Sequence, residues 1–186
     1  MSDNTIHIGL FFGSTTCYTE MAAEKIQDAI QQVTQDVKVD VHNIKDVDLA
    51  HSEKYAILIF GISTWDFGEL QEDWESQWND VAQLTLQDKI VAIFGLGDQV
   101  GYADWFQDAI GMLHDALSPS GCHFVGYWPN VGYEFTASKG LTEDGEFFVG
   151  LSLDDENQWD KSEVRITEWV AQILLEITEI QQVLQP

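Results

Sequence analysis

Short apolar runs alternate along this chain with stretches whose apolar residues recur at helical spacing. That alternation restricts the possible folds more than any other feature. Ile6–Phe12 (IHIGLFF) is rich in β-formers and stops at Gly13, so it reads as a buried strand. From Thr19, the positions Ala22, Ile26, Ala29, Ile30 and Val33 predict a helix. Val37, Val39 and Val41 alternate with polar residues, the pattern of a short edge strand. A weak helical signal near Asp46–His51 precedes Tyr55–Ile62 (YAILIFGI), a continuous apolar run suited to a strand covered on both faces. Leu70, Trp74, Trp78 and Val81 form the next helical stripe, and Ile90–Phe94 the next strand, ending at Gly95. A stripe from Phe106 through Ile110 and Leu113 to Leu117 stops near Pro119 and Gly121. Cys122–Tyr127 reads as a fifth strand, and Val164, Trp169, Ile173, Leu174, Ile177 and Ile180 as a last helix. Repeated strand–helix units imply an α/β fold, a five-stranded parallel sheet with helices on both faces. Only Trp128–Gly145 breaks the rhythm. It is rich in Gly, polar and aromatic residues and reads as an insertion in or beside the fifth strand, so residues 1–186 are expected to form one domain.

Charge removes several classes of function. Lys plus Arg number 8 against 32 Asp plus Glu, a formal net charge of -24. Nucleic acid and anionic membrane surfaces recruit Lys and Arg, so neither is an expected partner; basic protein surfaces are. No apolar run approaches the ~18 residues of a membrane span, and the first apolar run is too short and too early for a secretory signal. Cys17 and Cys122 form no CxxC pair or disulfide framework, so a reducing cytoplasm is expected. His7, His42, His51, His114 and His123 are scattered without metal-ligand spacing, and no nucleophile–base set is apparent. No catalytic residue and no metal site are therefore expected.

In an open parallel sheet, ligands bind beyond the carboxyl ends of the strands, where strand order reverses. Three loops there stand out. After the first strand come Ser14, Thr15, Thr16, Cys17, Tyr18 and Thr19, leading into a helix. Four hydroxyls meet the unpaired N–H groups and partial positive charge of a helix start, a cradle for phosphate that contains no Lys or Arg. Alone, the loop reads first as N-capping hydroxyls and only second as a phosphate cradle. It is neither a Walker loop nor GxGxxG. After the third strand come Ser63, Thr64, Trp65, Asp66, Phe67 and Gly68; a Trp in such a turn can lie against a flat ring, whereas Trp74 and Trp78 belong to a core stripe. After the fourth come Leu96, Gly97 and Asp98, then Tyr102 and Asp104, with glycines that let backbone approach a ligand and a second aromatic. Together the loops imply a flat, aromatic, phosphorylated cofactor.

Three segments, GLFFGSTTCYTE, TWDFGELQEDWE from Thr64 and FGLGDQVGYADWF from Phe94, resemble the flavodoxins, and the similarity runs through essentially the whole chain. An insertion over about residues 128–149 resembles that of the long-chain subclass, and CYTEMAAEKI and GMLHDALS resemble its flavodoxin 2 type. The resemblance implies a flavodoxin-like three-layer sandwich with strand order 2-1-3-4-5, the insertion lying in the fifth strand. It implies bound FMN, with Ser14–Thr19 as the phosphate loop and Thr64 adding a hydroxyl. Trp65 would lie on the inner face of the flavin and Tyr102 on the outer. The Asp66–Phe67 peptide would flip upon one-electron reduction, Leu96, Gly97 and Asp98 would meet the pyrimidine edge, and Asp154 would lie near the ribityl chain. Relatives usually have Gly where Cys17 stands. If that position has positive φ, a Cβ there is costly; if it is helical, Cys is tolerated and sits at a helix start.

The reading is a low-potential one-electron carrier, not an enzyme, and a monomer. The resemblance supplies ferredoxin (flavodoxin)–NADP reductase as its electron donor, docking on an acidic face. Between Tyr55 and Asn130 the only Lys or Arg is Lys89, among many acids, and negative surroundings oppose full reduction of a bound flavin. An FMN-dependent NAD(P)H:quinone-type reductase is the alternative, but the chain shows no second phosphate loop for a dinucleotide. A receiver-type signalling module would need an acidic cluster and a Lys after the fifth strand, where Tyr127 and Trp128 stand instead.

Overall fold

The computed structural model describes residues 5–184. Strand β1 (Ile6–Phe12) leads to helix α1 (Tyr18–Val33) and strand β2 (Val37–Asn43). A 3₁₀ turn over Leu49–Lys54 precedes β3 (Ile57–Trp65), the short β4 (Glu69–Leu70), and helices α2 (Glu72–Ser76) and α3 (Trp78–Val81). Then come β5 (Ile90–Leu96), α4 (Asp108–Leu117), a 3₁₀ turn over Ser118–Ser120, and β6 (His123–Val125). Strands β7 (Trp128–Pro129), β8 (Phe147–Phe148) and β9 (Leu151–Leu153) precede the long α5 (Trp159–Leu184).

The main sheet runs β2-β1-β3-β5-β6 with parallel pairing throughout, which is the expected order. All seven residues of β5 and Ile57–Ile62 of β3 are buried, as central strands covered on both faces must be. Strand β2 pairs only with β1 in this sheet and buries Val39. Helices α1 and α5 pack on each other, and α4 packs on β3 and β5.

Three sequence expectations shift. The weak helical signal near Asp46–His51 becomes the 3₁₀ turn Leu49–Lys54, capped where Asp48 Oδ1 accepts from Ala50 N at 2.8 Å. The single stripe over Leu70–Val81 becomes β4 and two short helices. The break falls at Gln77, whose side chain donates to the Ile44 and Val47 carbonyls and accepts from Leu49 N, leaving helical geometry to do so.

The third shift concerns the fifth strand. Of Cys122–Tyr127 only His123–Val125 is strand, paired with Ile90–Ala92; Leu151–Leu153 resumes the ladder opposite Phe94–Leu96. The insertion thus leaves after Val125 and returns at Leu151, and only Ile93 of β5 lacks a partner residue on that side. Gly150 makes the return possible: a Cβ there would lie 2.3 Å from the Ile93 carbonyl oxygen.

The insertion folds onto the sheet around Phe148, Tyr133, Phe135 and Phe106, whose rings lie 5.2–5.8 Å apart. Burial pushes the Tyr133 hydroxyl up to about 12, so it stays protonated and donates to the Ser152 carbonyl at 2.6 Å. The Arg165 guanidinium covers its ring at 4.2 Å.

Candidate functional site

The carboxyl ends of β1, β3 and β5 open into one cleft of about 270 Å³, and all three singled-out loops reach it. From the first loop, Ser14, Thr15, Thr16, Tyr18 and Thr19 line it. Within the described residues the hydroxyls of Ser14, Thr16 and Thr19 have no hydrogen-bond partner. They stand beside the free N–H groups that begin α1. Cys17 does not line the cleft. It sits at the start of α1 with φ 67 and ψ −6, left-handed backbone on a residue with a Cβ, and its side chain is exposed.

From the second loop, Ser63, Thr64, Trp65 and Asp66 line the cleft. Trp65 is half-buried, and its indole N–H donates to Ser63 Oγ at 2.9 Å, fixing the ring's edge. Thr64 Oγ1 accepts from Ala109 N at 3.0 Å, so its own O–H remains to donate. A tight turn follows: Gly68 N donates to the Trp65 carbonyl at 3.1 Å, with positive φ at both Asp66 (41) and Gly68 (86). Phe67 and Gly68 lie outside the lining. Phe67 is 67% exposed and packs edge-on against Trp105, with centroids 5.1 Å apart.

From the third loop, Leu96, Gly97, Asp98 and Tyr102 line the cleft, whereas Asp104 is exposed and does not. Asp98 closes the loop on itself by accepting from Val100 N at 3.0 Å and Gly101 N at 2.7 Å, and it also accepts from Asn157 Nδ2 at 2.8 Å. Partial burial works to raise its carboxyl pKa. The hydrogen bonds from Gly101, Asn157 and Val100 outweigh that and hold it below the usual range.

Asp154 lies beneath the cleft rather than in its lining. It is fully buried and accepts from both the backbone and the side-chain amide of Gln99. The next two residues, Asp155 and Glu156, line the cleft instead. Sequence reading missed them because β9 is only three residues long and its end could not be placed. The buried glutamines Gln71 and Gln99, which hold the first and third loops, were also missed: both stand inside the quoted segments, but a neutral amide there gives no sign of what it bonds. No Lys, Arg or His lines the cleft among the described residues.

The insertion contacts the third loop and the start of α4 through backbone donors. Glu134 N donates to Gln99 Oε1 (2.6 Å), Thr136 N and Ala137 N to the Ala103 carbonyl (2.8 and 3.0 Å), and Lys139 N to Asp108 Oδ1 (2.7 Å).

The cleft at the switch point of a 2-1-3-4-5 sheet, lined by hydroxyls of the first loop and by Trp65 and Tyr102 of the other two, agrees with the sequence match: the flavodoxin family model covers residues 10–169. The chain belongs to the flavodoxin family. Flavodoxin 2 of Escherichia coli is 56% identical over 174 residues, covering 94% of this chain and 98% of that one. A flavodoxin of Nostoc sp. is 46% identical over 166 residues, covering 89% and 94%. Among solved structures, the Fusobacterium nucleatum flavodoxin bound to flavin mononucleotide superposes with a TM-score of 0.83 at 26% identity, covering 91% of this chain and 98% of that one. The fold, the insertion and the strand order are thus those of a long-chain flavodoxin, an electron-transfer family rather than an enzyme family. No helix among the described residues is long and apolar enough to cross a membrane.

Proposed function

We propose that this flavodoxin holds FMN in the cleft and passes electrons singly between redox proteins. The observation that carries this reading is the donor set. The first loop brings hydroxyls without partners and free helix-start N–H groups to the cleft, and the second and third loops bring Trp65 and Tyr102. That set suits a phosphate joined to a flat ring, and it suits one phosphate only. With Asp66, Asp98, Asp155 and Glu156 in the lining and no Lys, Arg or His beside them among the described residues, a second phosphate would meet four carboxylates and no cation.

Ser14, Thr15, Thr16, Thr19 and Thr64 would hold the phosphate by hydrogen bonds. The rings of Trp65 and Tyr102 would flank the flavin and exclude water from it. Bound FMN supplies the one-electron chemistry; the protein supplies orientation and field. The Asp66–Phe67 peptide lies in a turn whose non-glycine residue has positive φ, a conformation that costs energy and favours reorientation. We assign to that peptide the hydrogen bond that changes with redox state. Leu96 and Gly97 would face the pyrimidine edge. The carboxylates of the lining oppose build-up of negative charge, which sets a low potential for the second electron.

The partners are redox proteins such as reductases. We propose ferredoxin (flavodoxin)–NADP reductase as the donor, docked through basic residues on the acidic rim, with the carrier acting as a cytoplasmic monomer of one domain.

The test is an anaerobic reductive titration of the FMN-loaded protein, followed by its visible spectrum. Two separate one-electron steps are expected, with a distinct spectrum between them. Bleaching in a single two-electron step driven by NAD(P)H would instead indicate a quinone-type reductase. Failure to take up FMN would overturn the reading.

A further inference from the structure

Gln71 lies one residue beyond β4, is 1% exposed, and does not line the cleft. Its amide uses every hydrogen-bonding position it has. Oε1 accepts from Asp73 N at 3.2 Å and Trp74 N at 3.4 Å, capping α2. Nε2 donates to Asp73 Oδ2 at 2.7 Å and to Thr15 Oγ1 at 3.1 Å. The phosphate loop also enters across this amide, because a Cβ on Gly13 would lie 2.2 Å from Gln71 Oε1. On its other side Gln71 continues β4, whose Glu69 and Leu70 pair with Trp65 and Thr64. The Trp74 indole and Gly13 N share the Gly61 carbonyl as acceptor, at 2.9 and 3.3 Å. Gln71 is therefore the joint between the loop carrying the hydroxyls and the loop carrying the Trp65 ring.

The consequence is chemical. Among the described residues, Thr15 is the one hydroxyl of the first loop with side-chain partners. A hydroxyl carries one proton and two lone pairs. Gln71 Nε2–H occupies a lone pair, so the Thr15 proton is the group left to be directed. Its partner within the protein, Glu72 Oε1, is 3.4 Å away, a long hydrogen bond. An anion in the cleft competes with that contact on favourable terms.

We propose that Gln71 is a positioning residue for the phosphate end of the cofactor, holding Thr15 as a hydrogen-bond donor toward the cleft; this rests on the FMN reading above.

The test uses the whole apoprotein and compares affinity for FMN with affinity for riboflavin, which has the same ring and no phosphate. Gln71→Glu keeps an oxygen to cap α2 but cannot donate to Thr15. Its FMN affinity should fall roughly tenfold or more, the scale of a hydrogen bond to a charged group, with riboflavin affinity unchanged within about twofold. In a Thr15→Val background the same substitution should cost FMN affinity little more, since the link is already gone. Parallel losses for both ligands would make Gln71 a merely structural residue and overturn the proposal. So would an unchanged FMN affinity, or full additivity with Thr15→Val, which would mark a simple charge effect. If Gln71→Glu does not fold by circular dichroism, the neutral Gln71→Met takes its place in the same cycle. A parent protein that binds neither ligand would refute the FMN reading itself, before Gln71 is tested.

Discussion

Gln99 donates to one oxygen from both of its amide nitrogens: its backbone N and its side-chain Nε2 reach Asp154 Oδ2 at 3.1 and 2.7 Å. Both residues are at least 98% buried, and Gln99 Oε1 accepts from Glu134 N in the insertion at 2.6 Å. Asp154→Ala would strand two buried donors together with the Asn157 amide that also donates to this carboxylate. Loss of a buried charged acceptor costs about 3 kcal/mol, so urea unfolding of the apoprotein should show a loss near that size. A loss below about 1 kcal/mol would mean that the network is dispensable.

Cys17 carries a Cβ in the left-handed region, with φ 67. Cys17→Gly should remove about 1 kcal/mol of backbone strain, offset in part by the greater freedom of glycine in the unfolded chain. The side chain is exposed, so little packing is lost. A net gain of roughly 0.5 kcal/mol in chemical denaturation is expected, with no loss of FMN affinity. The structure thus decides between the alternatives left open by sequence: this position is not helical.

Stability should decline as pH falls through the histidine range. Burial lowers the pKa of His114, with Asp115 opposing, and its Nε2 lies 2.7 Å from the Tyr127 hydroxyl. Burial and His51 lower that of His42 despite Asp40. Each group takes up its proton in the unfolded chain first, so its contribution is complete above about 6.5 and falls as pH drops below that value. Asp98, held low, contributes above the ordinary carboxylate range and loses that contribution on acidification through it. Urea midpoints for the parent and His114→Gln between pH 7.5 and 5.5 check the first window. The variant should show the shallower slope.

Neutralising the carboxylates of the lining should ease the second electron. A charge ~10 Å from the ring at an effective dielectric of ~40 is worth ~0.8 kcal/mol, or ~35 mV for one electron. Asp155→Asn with Glu156→Gln should therefore raise that potential by several tens of millivolts at low salt, and by less at high salt. Asp98 is the poorer target, because its carboxylate also ties Val100, Gly101 and Asn157. Spectroelectrochemical titration at two ionic strengths is the measurement.

Most of the sheet was legible because β1 from Ile8, β3 as far as Ile62 and all of β5 are continuous buried runs, where composition and period agree. The three loops were legible because topology says where to look. The return of the fifth strand was not, since Leu151–Leu153 alone is too short to signal a strand and depends on a neighbour placed by the rest of the sheet. Asp155 and Glu156, which line the cleft just beyond this strand, were hidden with it. The buried glutamines escaped for a related reason. Gln71, Gln77 and Gln99 act through where their amides end, and nothing in their spacing reveals that.

The junction at Val125 and Leu151 makes the fifth strand a splice. Two pieces of chain complete one edge of the sheet around a single unmatched residue, so the ladder does not measure how much chain lies between them. At the far turn, a Cβ built on Gly145 meets nothing within 4 Å. Gly145 N donates to the Thr142 carbonyl and Asn130 Nδ2 to the Gly145 carbonyl, so added residues there must keep or replace those two bonds; beyond that, doubling a flexible loop costs only about 0.6 kcal/mol. The fold therefore has a port where a peptide tag or a small reporter could be grafted without touching the cleft.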